Sequence, residues 1–314
     1  MYERFFFLKE KPFHITPDPR FLYLGRKHGE AIDLLSYGIN ERKGFILLTG
    51  EVGTGKTTLC RALLDKLPRG TESALILNPM LSDIELLSTI VADFGLKPSG
   101  NAPRDHIDCL HNFLLERYAS GGNAVVIIDE AQHLNQAALE MVRLLSNLET
   151  EREKLIQIVL VGQPELREKL KLNQLRQLNQ RVIIRYHLDP LDLGETAAYI
   201  GNRLEVAGSA GSVEFTPDAL SAIHRGSGGI PRMINIVCDR ALTAAYISSK
   251  RLIDKKVTGL AISELESEGY IAGRSTDILA YLEYTPHIAA SMFLLALLAG
   301  IFWGPFILGL GAGH

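Results

Sequence analysis

The feature that most constrains this chain is the eight-residue segment 50–57, which reads GEVGTGKT. It matches the pattern G-x-x-x-x-G-K-[ST], whose glycines let the backbone turn tightly and aim N–H groups at phosphate oxygens. An apolar run at 44–48 precedes it as an expected strand, and 58–64 follow with helical spacing. This strand–loop–helix order predicts a nucleotide-phosphate site, since the helix N-terminus adds partial positive charge.

Each residue of this loop is a candidate nucleotide contact, as is the residue that follows it. They are Gly50, Glu51, Val52, Gly53, Thr54, Gly55, Lys56, Thr57 and Thr58. We expect Lys56 to neutralise the β- and γ-phosphates of ATP and the Thr57 hydroxyl to ligate Mg²⁺. The alternative is a glycine-rich turn that binds nothing, which the flanking strand and helix disfavour.

A second apolar run, 124–128, ends in the acids Asp129 and Glu130. Such a run predicts a fully buried strand whose C-terminal end projects carboxylates into a site. Asp129 is expected to hold Mg²⁺, directly or through water, and Glu130 to act as the general base on the attacking water. An ordinary strand end has the same pattern, but its place after a complete phosphate loop favours the catalytic interpretation.

Strand-like and helix-like segments alternate through the first part of the chain, which predicts a parallel α/β sheet with helices on both faces. Further strands are expected at 74–77, 155–161 and 182–187. The strand at 155–161 follows the acidic strand, an order that suits NTPases with a catalytic glutamate and a fourth strand inserted centrally. Gln163, just after it, would then sense or orient the water beside the γ-phosphate, or simply cap the strand.

After residue 194 we expect the strands to stop and four helices to follow, at 194–207, 216–226, from 227–232 to about 248, and at 254–268. Thr216 and Pro217 form an N-cap followed by proline at the first helical position. This part of the chain is expected to be a small helical domain over the nucleotide. The expected organisation is a segment at 1–43 on the nucleotide pocket, an α/β core at 44–190 and a helical lid at 191–268.

The C-terminal part predicts a membrane anchor. Residues 288–310 are nearly all apolar, and no Asp, Glu, Lys or Arg occurs from 284 to 314. At about 1.5 Å per residue such a helix crosses a hydrocarbon core of about 30 Å, whereas a buried core helix is rarely apolar all round. We expect a juxtamembrane linker at 269–287 and a single transmembrane helix, with the nucleotide site in the cytoplasm.

The amino-acid composition limits which partners, cysteine chemistry and targeting signals are expected. The net charge is −3 and 22% of residues are charged, so nucleic acid is not an expected partner. Cys60, Cys109 and Cys238 are odd in number and far apart, which predicts reduced thiols rather than disulfides or a zinc site. Charges interrupt the first ten residues, so no signal peptide is expected.

Over about residues 1–268 the chain resembles AAA+ ATPases, and more narrowly the ExeA/GspA family of bacterial general secretion ATPases. Besides the phosphate loop, the segments that carry the resemblance are 5–13 (FFFLKEKPF), 16–24 (TPDPRFLYL), 37–39 (YGI), 42–45 (RKGF), 126–132 (VIIDEAQ), 162–166 (GQPEL) and 229–232 (GIPR).

The resemblance implies a P-loop NTPase of three layers with a helical lid, in which the N-terminal segment lines the adenine pocket. It also implies that Arg232 is the second sensor arginine. The protein would act as a homo-oligomer or ring in which a neighbour's arginine completes each site. Arg181 is the first candidate for that arginine and Arg176 the second, although either could instead cap a helix or meet a surface carboxylate.

Members of this family are inner-membrane ATPases linked to type II secretion, with a periplasmic peptidoglycan-binding region after their transmembrane helix. Here four residues follow the apolar segment, so a role in secretin assembly would require a separate partner to supply that region. Related ATPases serve pilus assembly and exopolysaccharide or exosortase systems.

Three functional hypotheses follow. The first is a membrane-anchored ATPase of the bacterial inner membrane that powers assembly of a type II secretion or pilus complex. The second is a DNA-linked ATPase of the transposition target-selection type, which the acidic pI and the apolar segment disfavour. The third is a nucleotide switch without hydrolysis, which the intact Lys56, Asp129 and Glu130 disfavour.

Overall fold

The structure is a computed structural model that describes residues 1–16 and 18–271. The predicted transmembrane segment 288–310 and most of the predicted linker 269–287 lie outside the described residues. Within the described part, no helix is both long and apolar enough to cross a bilayer. The chain divides into two units, Met1–Ile262 and Ser263–His314, and the candidate site lies within the first.

A five-stranded parallel sheet forms the centre of the first unit. Its strands are β1 (Phe45–Gly50), β2 (Thr71–Ile76), β3 (Asn123–Ile128), β4 (Gln157–Gly162) and β5 (Val182–Leu188). Their order across the sheet is β2-β3-β4-β1-β5, so the predicted central insertion of the fourth strand is confirmed. The carboxyl ends of parallel strands share one edge, and the order places the end of β4 between those of β3 and β1.

Helices cover both faces of this sheet, because the central strands are apolar on both sides. Ile46 and Leu48 of β1 pack in a cluster with residues of α2 and α3, whereas Phe45 and Leu47 of the same strand pack with residues of α4, α5 and α6. The helices before β5 are α1 (Tyr2–Phe5), α2 (Arg26–Asn40), α3 (Lys56–Lys66), α4 (Asp83–Asp93), α5 (Pro103–Ala119), α6 (Gln136–Leu145), α7 (Glu165–Leu170) and α8 (Arg176–Arg181).

The segment after β5 is mainly helical, as predicted. Its elements are α9 (Leu193–Val206), β6 (Glu214–Phe215), α10 (Pro217–Ser227), α11 (Pro231–Ile247), β7 (Leu252–Ile253) and α12 (Lys255–Ser267). The expectation that strands stop after 194 is wrong, because β6 and β7 form a short parallel pair. Two-residue strands have no periodicity that a sequence pattern could reveal. The predicted cap at Thr216 is confirmed, since its side chain accepts a hydrogen bond from Ala219 N.

The N-terminal segment packs against these later helices. Phe6 and Phe13 are fully buried, Lys9 N donates to Ala207 O, and the Tyr2 hydroxyl donates to Asp239 of α11. The start of the chain therefore folds against the helices after β5, and it reaches the candidate site from that side.

Candidate nucleotide site

The phosphate loop joins β1 to α3 with the geometry that its glycines predict. Gly53 and Gly55 have φ of 83° and 97°, in the left-handed region that glycine adopts without strain. Gly55 is the N-cap of α3, and Lys56 is the first residue of that helix. The loop therefore leads directly into a helix N-terminus, where main-chain N–H groups are free to bind an anion.

Lys56 lies inside the curve of the loop. Its side chain is buried, and Nζ donates to Gly50 O at 2.8 Å and Glu51 O at 2.9 Å. Burial lowers the pKa of Lys56, while the nearby charges of Glu130 and Asp129 act in the opposite direction. The ammonium group thus lies where phosphate oxygens would replace the loop carbonyls as its partners.

Thr57 and Asp129 meet at the base of the loop. Thr57 Oγ1 donates to Asp129 Oδ2 at 2.5 Å, and Glu130 N donates to Asp129 Oδ1 at 2.9 Å. Burial raises the pKa of Asp129, while the hydrogen bond from Thr57 lowers it. A hydroxyl and a carboxylate are hard oxygen ligands, and this pair fits the ligand preference of Mg²⁺.

Glu130 follows Asp129 in a left-handed conformation, with φ of 51°. Such a conformation is uncommon for a residue with a side chain and is often found at functional sites. Glu130 lines the same cavity as Lys56 and Thr57. Gln163 Nε2 lies 3.4 Å from Glu130 Oε2, so the structure brings these two predicted residues together. Gln132, which the sequence did not single out, donates to that oxygen at 2.5 Å.

The cavity beyond the loop has a volume of about 840 Å³. Its wall combines the phosphate loop and the start of α3 with residues of the N-terminal segment and of the helices after β5. The N-terminal contributors are His14, Ile15, Thr16, Asp18, Pro19, Phe21, Leu22 and Tyr23. A cavity of this size and mixed lining can hold a nucleotide.

Arg203 of α9 connects the N-terminal wall of the cavity to the helices after β5, a role that no sequence pattern indicates. Its side chain is buried and donates to Pro12 O at 2.5 Å and His14 O at 3.2 Å. The guanidinium also stacks 4.8 Å from the centre of the Phe21 ring and donates to the Tyr199 hydroxyl.

The turn before α11 contacts the phosphate loop directly. Arg232 N donates to Gly53 O at 3.3 Å, and a Cβ on Gly53 would lie 2.7 Å from Arg232 Cβ. The Arg232 side chain is exposed and lines the cavity. Gly229, with φ of 71°, is packed so tightly that a Cβ would lie 2.1 Å from Leu191 O. Only glycine fits this approach between the turn and the connection from β5 to α9.

His28 of α2 holds the loop from the other side. Its ring is buried, and Nε2 lies 3.1 Å from Thr54 O, which can only accept a hydrogen bond. Nε2 therefore carries the proton, and Nδ1 is buried with no hydrogen-bond partner among the residues that the structure describes. Burial lowers the pKa of His28, so the neutral ring is favoured.

The two arginines considered for a neighbouring site differ in their contacts. The Arg181 guanidinium donates to the end of α6, at Arg143 O (3.1 Å), Ser146 Oγ (2.5 Å) and Asn147 Oδ1 (2.7 Å). Arg181 would have to leave these acceptors to reach another copy. Arg176, at the start of α8, is exposed.

Known proteins with related sequences include nucleotide-site families of the kind that this geometry indicates. A family model described as an AAA domain matches residues 39–170. General secretion pathway protein A from Aeromonas hydrophila is 48% identical over 273 residues, which cover 86% of this chain and 50% of that protein. An uncharacterized HTH-type transcriptional regulator from Methanocaldococcus jannaschii is 27% identical over 179 residues, 55% of this chain and 43% of that protein. The chain thus spans about half the length of the curated relatives it matches.

Solved structures share the fold. The Aeropyrum pernix ORC2 protein in ADPNP–ADP complexes superposes with a TM-score of 0.59 at 19% identity, covering 82% of this chain and 72% of that chain. The RuvB Holliday junction branch migration motor of Thermotoga maritima gives 0.51 at 20% identity, covering 77% and 70%. At these identities the likeness concerns the fold alone.

Proposed function

This chain belongs to the AAA+ ATPase family of general secretion pathway protein A, and from that premise we propose that it binds ATP and hydrolyses it to ADP and phosphate. The observation that carries the proposal is the meeting of Lys56, Thr57 and Glu130 on one cavity wall, with Asp129 bonded to Thr57. These groups bind phosphate, hold a metal ion and accept a proton, which are the tasks that phosphoryl transfer to water requires.

In this mechanism the main-chain N–H groups of the loop and the Lys56 ammonium bind the β- and γ-phosphates. Thr57 and Asp129 would hold Mg²⁺, which when bound neutralises charge on the phosphate oxygens. Glu130 accepts the proton of the attacking water, and Gln163 helps to orient that water. The cavity wall formed by the N-terminal segment holds the adenine and ribose.

The helices after β5 would couple nucleotide state to movement. Arg232 is proposed to reach the phosphates, since its main chain already bonds the loop at Gly53. We propose a homo-oligomer in which an arginine from a neighbouring copy completes the site. Arg176 and Arg181 remain the candidates. Arg176 is exposed, whereas Arg181 would exchange its contacts with α6 for the nucleotide.

We further propose that the protein is anchored in the bacterial inner membrane through 288–310 and powers assembly of a type II secretion or pilus complex. The relationship to general secretion pathway protein A and the apolar composition of 288–310 support this. Cross-linking of the membrane-extracted protein, followed by identification of its partners, tests it. We expect to recover secretion or pilus proteins. Salt-sensitive binding to DNA, with no secretion or pilus protein recovered, would contradict the proposed role in assembly.

The hydrolytic assignment is tested with purified full-length protein and two active-site variants. Glu130→Gln should slow ATP turnover by about 10²-fold or more while ATP binding is retained, because only the base is lost. Lys56→Ala should weaken ATP binding itself. Glu165→Gln, the same exchange at an exposed residue of α7, is the matched control and should behave as the parent. A Glu130→Gln protein as fast as the parent would refute Glu130 as the base.

A further inference from the structure

We infer that Gln132 is a positioning residue for hydrolysis, which holds the Glu130 carboxylate by a side-chain amide that is itself fixed to the end of β4. The inference rests on the proposed function, because it assigns a role relative to the catalytic base. Gln132 belongs to the short 3₁₀ turn Ala131–His133 that follows Glu130.

The orientation of the Gln132 amide is determined by its surroundings. Gln163 N lies 3.1 Å from Gln132 Oε1, and a main-chain N–H can only donate. The amide oxygen must therefore face Gln163, which directs Nε2 to Glu130 Oε2 at 2.5 Å. A flipped amide would place an N–H against an N–H at one end and an oxygen against a carboxylate at the other.

The backbone around Gln132 leaves little freedom to this arrangement. The left-handed conformation of Glu130 turns the chain back, so that a side chain two residues later reaches the carboxylate. Lys169 of α7 donates to Gln132 O at 2.9 Å and to Leu134 O at 2.5 Å. Because α7 begins three residues after β4 ends, these bonds connect the turn to the end of β4.

Gly162, the last residue of β4, makes room for the amide. A Cβ there would lie 2.7 Å from Gln132 Oε1 and 2.8 Å from Leu166 Cδ2. The φ of Gly162 is not positive, so the requirement for glycine here comes from space rather than from backbone conformation. Gly162→Ala should therefore displace the Gln132 amide and mimic its loss.

Both amide donors near the base converge on one oxygen. Gln132 Nε2 bonds Glu130 Oε2 at 2.5 Å, and Gln163 Nε2 lies 3.4 Å from that atom, so Gln132 is the principal partner. Within 1–16 and 18–271, no residue donates a hydrogen bond to Glu130 Oε1. Gln132 thus occupies one carboxylate oxygen and leaves the other to accept the proton of water.

A double-mutant cycle on the full-length protein tests this role, with kcat and the Kd for ATP measured for each variant. Gln132→Ala should lower kcat by about tenfold and leave the Kd within twofold, because Gln132 touches the base and not the loop. Gln132→Glu, which cannot donate and repels Glu130, should lower kcat further. Gln136→Ala, at an exposed glutamine four residues on, is the matched control and should match the parent.

The decisive comparison uses Glu130→Gln as the background. If Gln132 acts through Glu130, adding Gln132→Ala there should change the residual rate by less than about twofold. A tenfold loss in that background would show an independent effect and overturn the inference. The inference would also be overturned if the kcat of Gln132→Ala equalled that of the parent, or if Gln132→Ala weakened ATP binding by the same factor as it lowered kcat. In contrast, Glu130→Gln turnover at the parent rate contradicts the proposed function itself.

Discussion

Replacing Arg203 should release the N-terminal wall of the nucleotide cavity. Arg203 is 6% exposed, donates to two carbonyls of the N-terminal segment and stacks on Phe21. Hydrogen bonds from a charged donor contribute about 1.5 kcal/mol or more each, and a cation–π contact contributes about 1 kcal/mol. The free energy of detaching the segment should therefore fall by about 4 kcal/mol in Arg203→Ala.

Limited trypsin digestion measures this detachment, since trypsin cuts after Arg20, which lies within the N-terminal segment that Arg203 holds. When opening is faster than cleavage, the cleavage rate follows the open population, so 4 kcal/mol corresponds to about 10³-fold faster cutting. ATP affinity should also fall by about tenfold, because residues 14–16, 18, 19 and 21–23 line one side of the cavity.

Two variants make the comparison specific. Arg203→Lys retains one charged donor but not the planar fork, and should lose about half of the effect. Arg225→Ala removes an exposed arginine of α10 and should be cut at the parent rate. Cleavage of Arg203→Ala within threefold of the parent would refute the reasoning, since the segment would then be held by its buried phenylalanines alone.

Three further predictions concern the site's supports. Gly229→Ala should destabilise by about 3 kcal/mol in urea unfolding, because its Cβ meets a carbonyl oxygen. Gly228→Ala should cost about 1 kcal/mol, because within residues 1–16 and 18–271 no atom beyond its chain neighbours lies within 4 Å of the added Cβ. The pKa of His28 is lowered by burial, so the unfolded chain binds a proton below about pH 6.5 that the folded chain does not. Unfolding free energy should therefore fall as pH drops from about 7.5 to 5, and His28→Gln should reduce that slope; an unchanged slope contradicts the assignment. Arg181→Ala should lower stability by about 1–2 kcal/mol through the end of α6, while Arg176→Ala should leave the melting temperature unchanged. The variant that slows ATP turnover identifies the arginine that completes the neighbouring site, and unchanged turnover in both would exclude both.

The parts of the fold that the sequence predicts are those with local signals. β1, α3 and β3 are recognisable because a motif or a run of branched apolar residues marks each of them. The helix α6 was not predicted, although Asn135 caps it and accepts a hydrogen bond from Ala138 N. An Asn before an apolar run was the available signal.

For the site too, the residues within a local motif were predicted, and contacts between distant parts of the chain were not. Thr57, Asp129 and Glu130 were assigned from their motifs, and the structure brings them together at the loop. Arg181 is a candidate because of the family resemblance, but its position between a helix and a strand does not reveal its acceptors, which are 34 to 38 residues earlier in the chain. A contact over such a separation depends on how α8 packs against α6.

The sequence alone determined that the chain has a phosphate loop followed by an acidic strand end. Both are continuous segments in which the chemical groups that act together are close neighbours along the chain. Only the tertiary structure decided what surrounds them. Arg203 reaches Pro12 across 191 residues, and Gln163 orients the amide of Gln132 across 31. These contacts depend on the order of strands in the sheet and on the packing of helices after β5 against the start of the chain, which no local pattern contains.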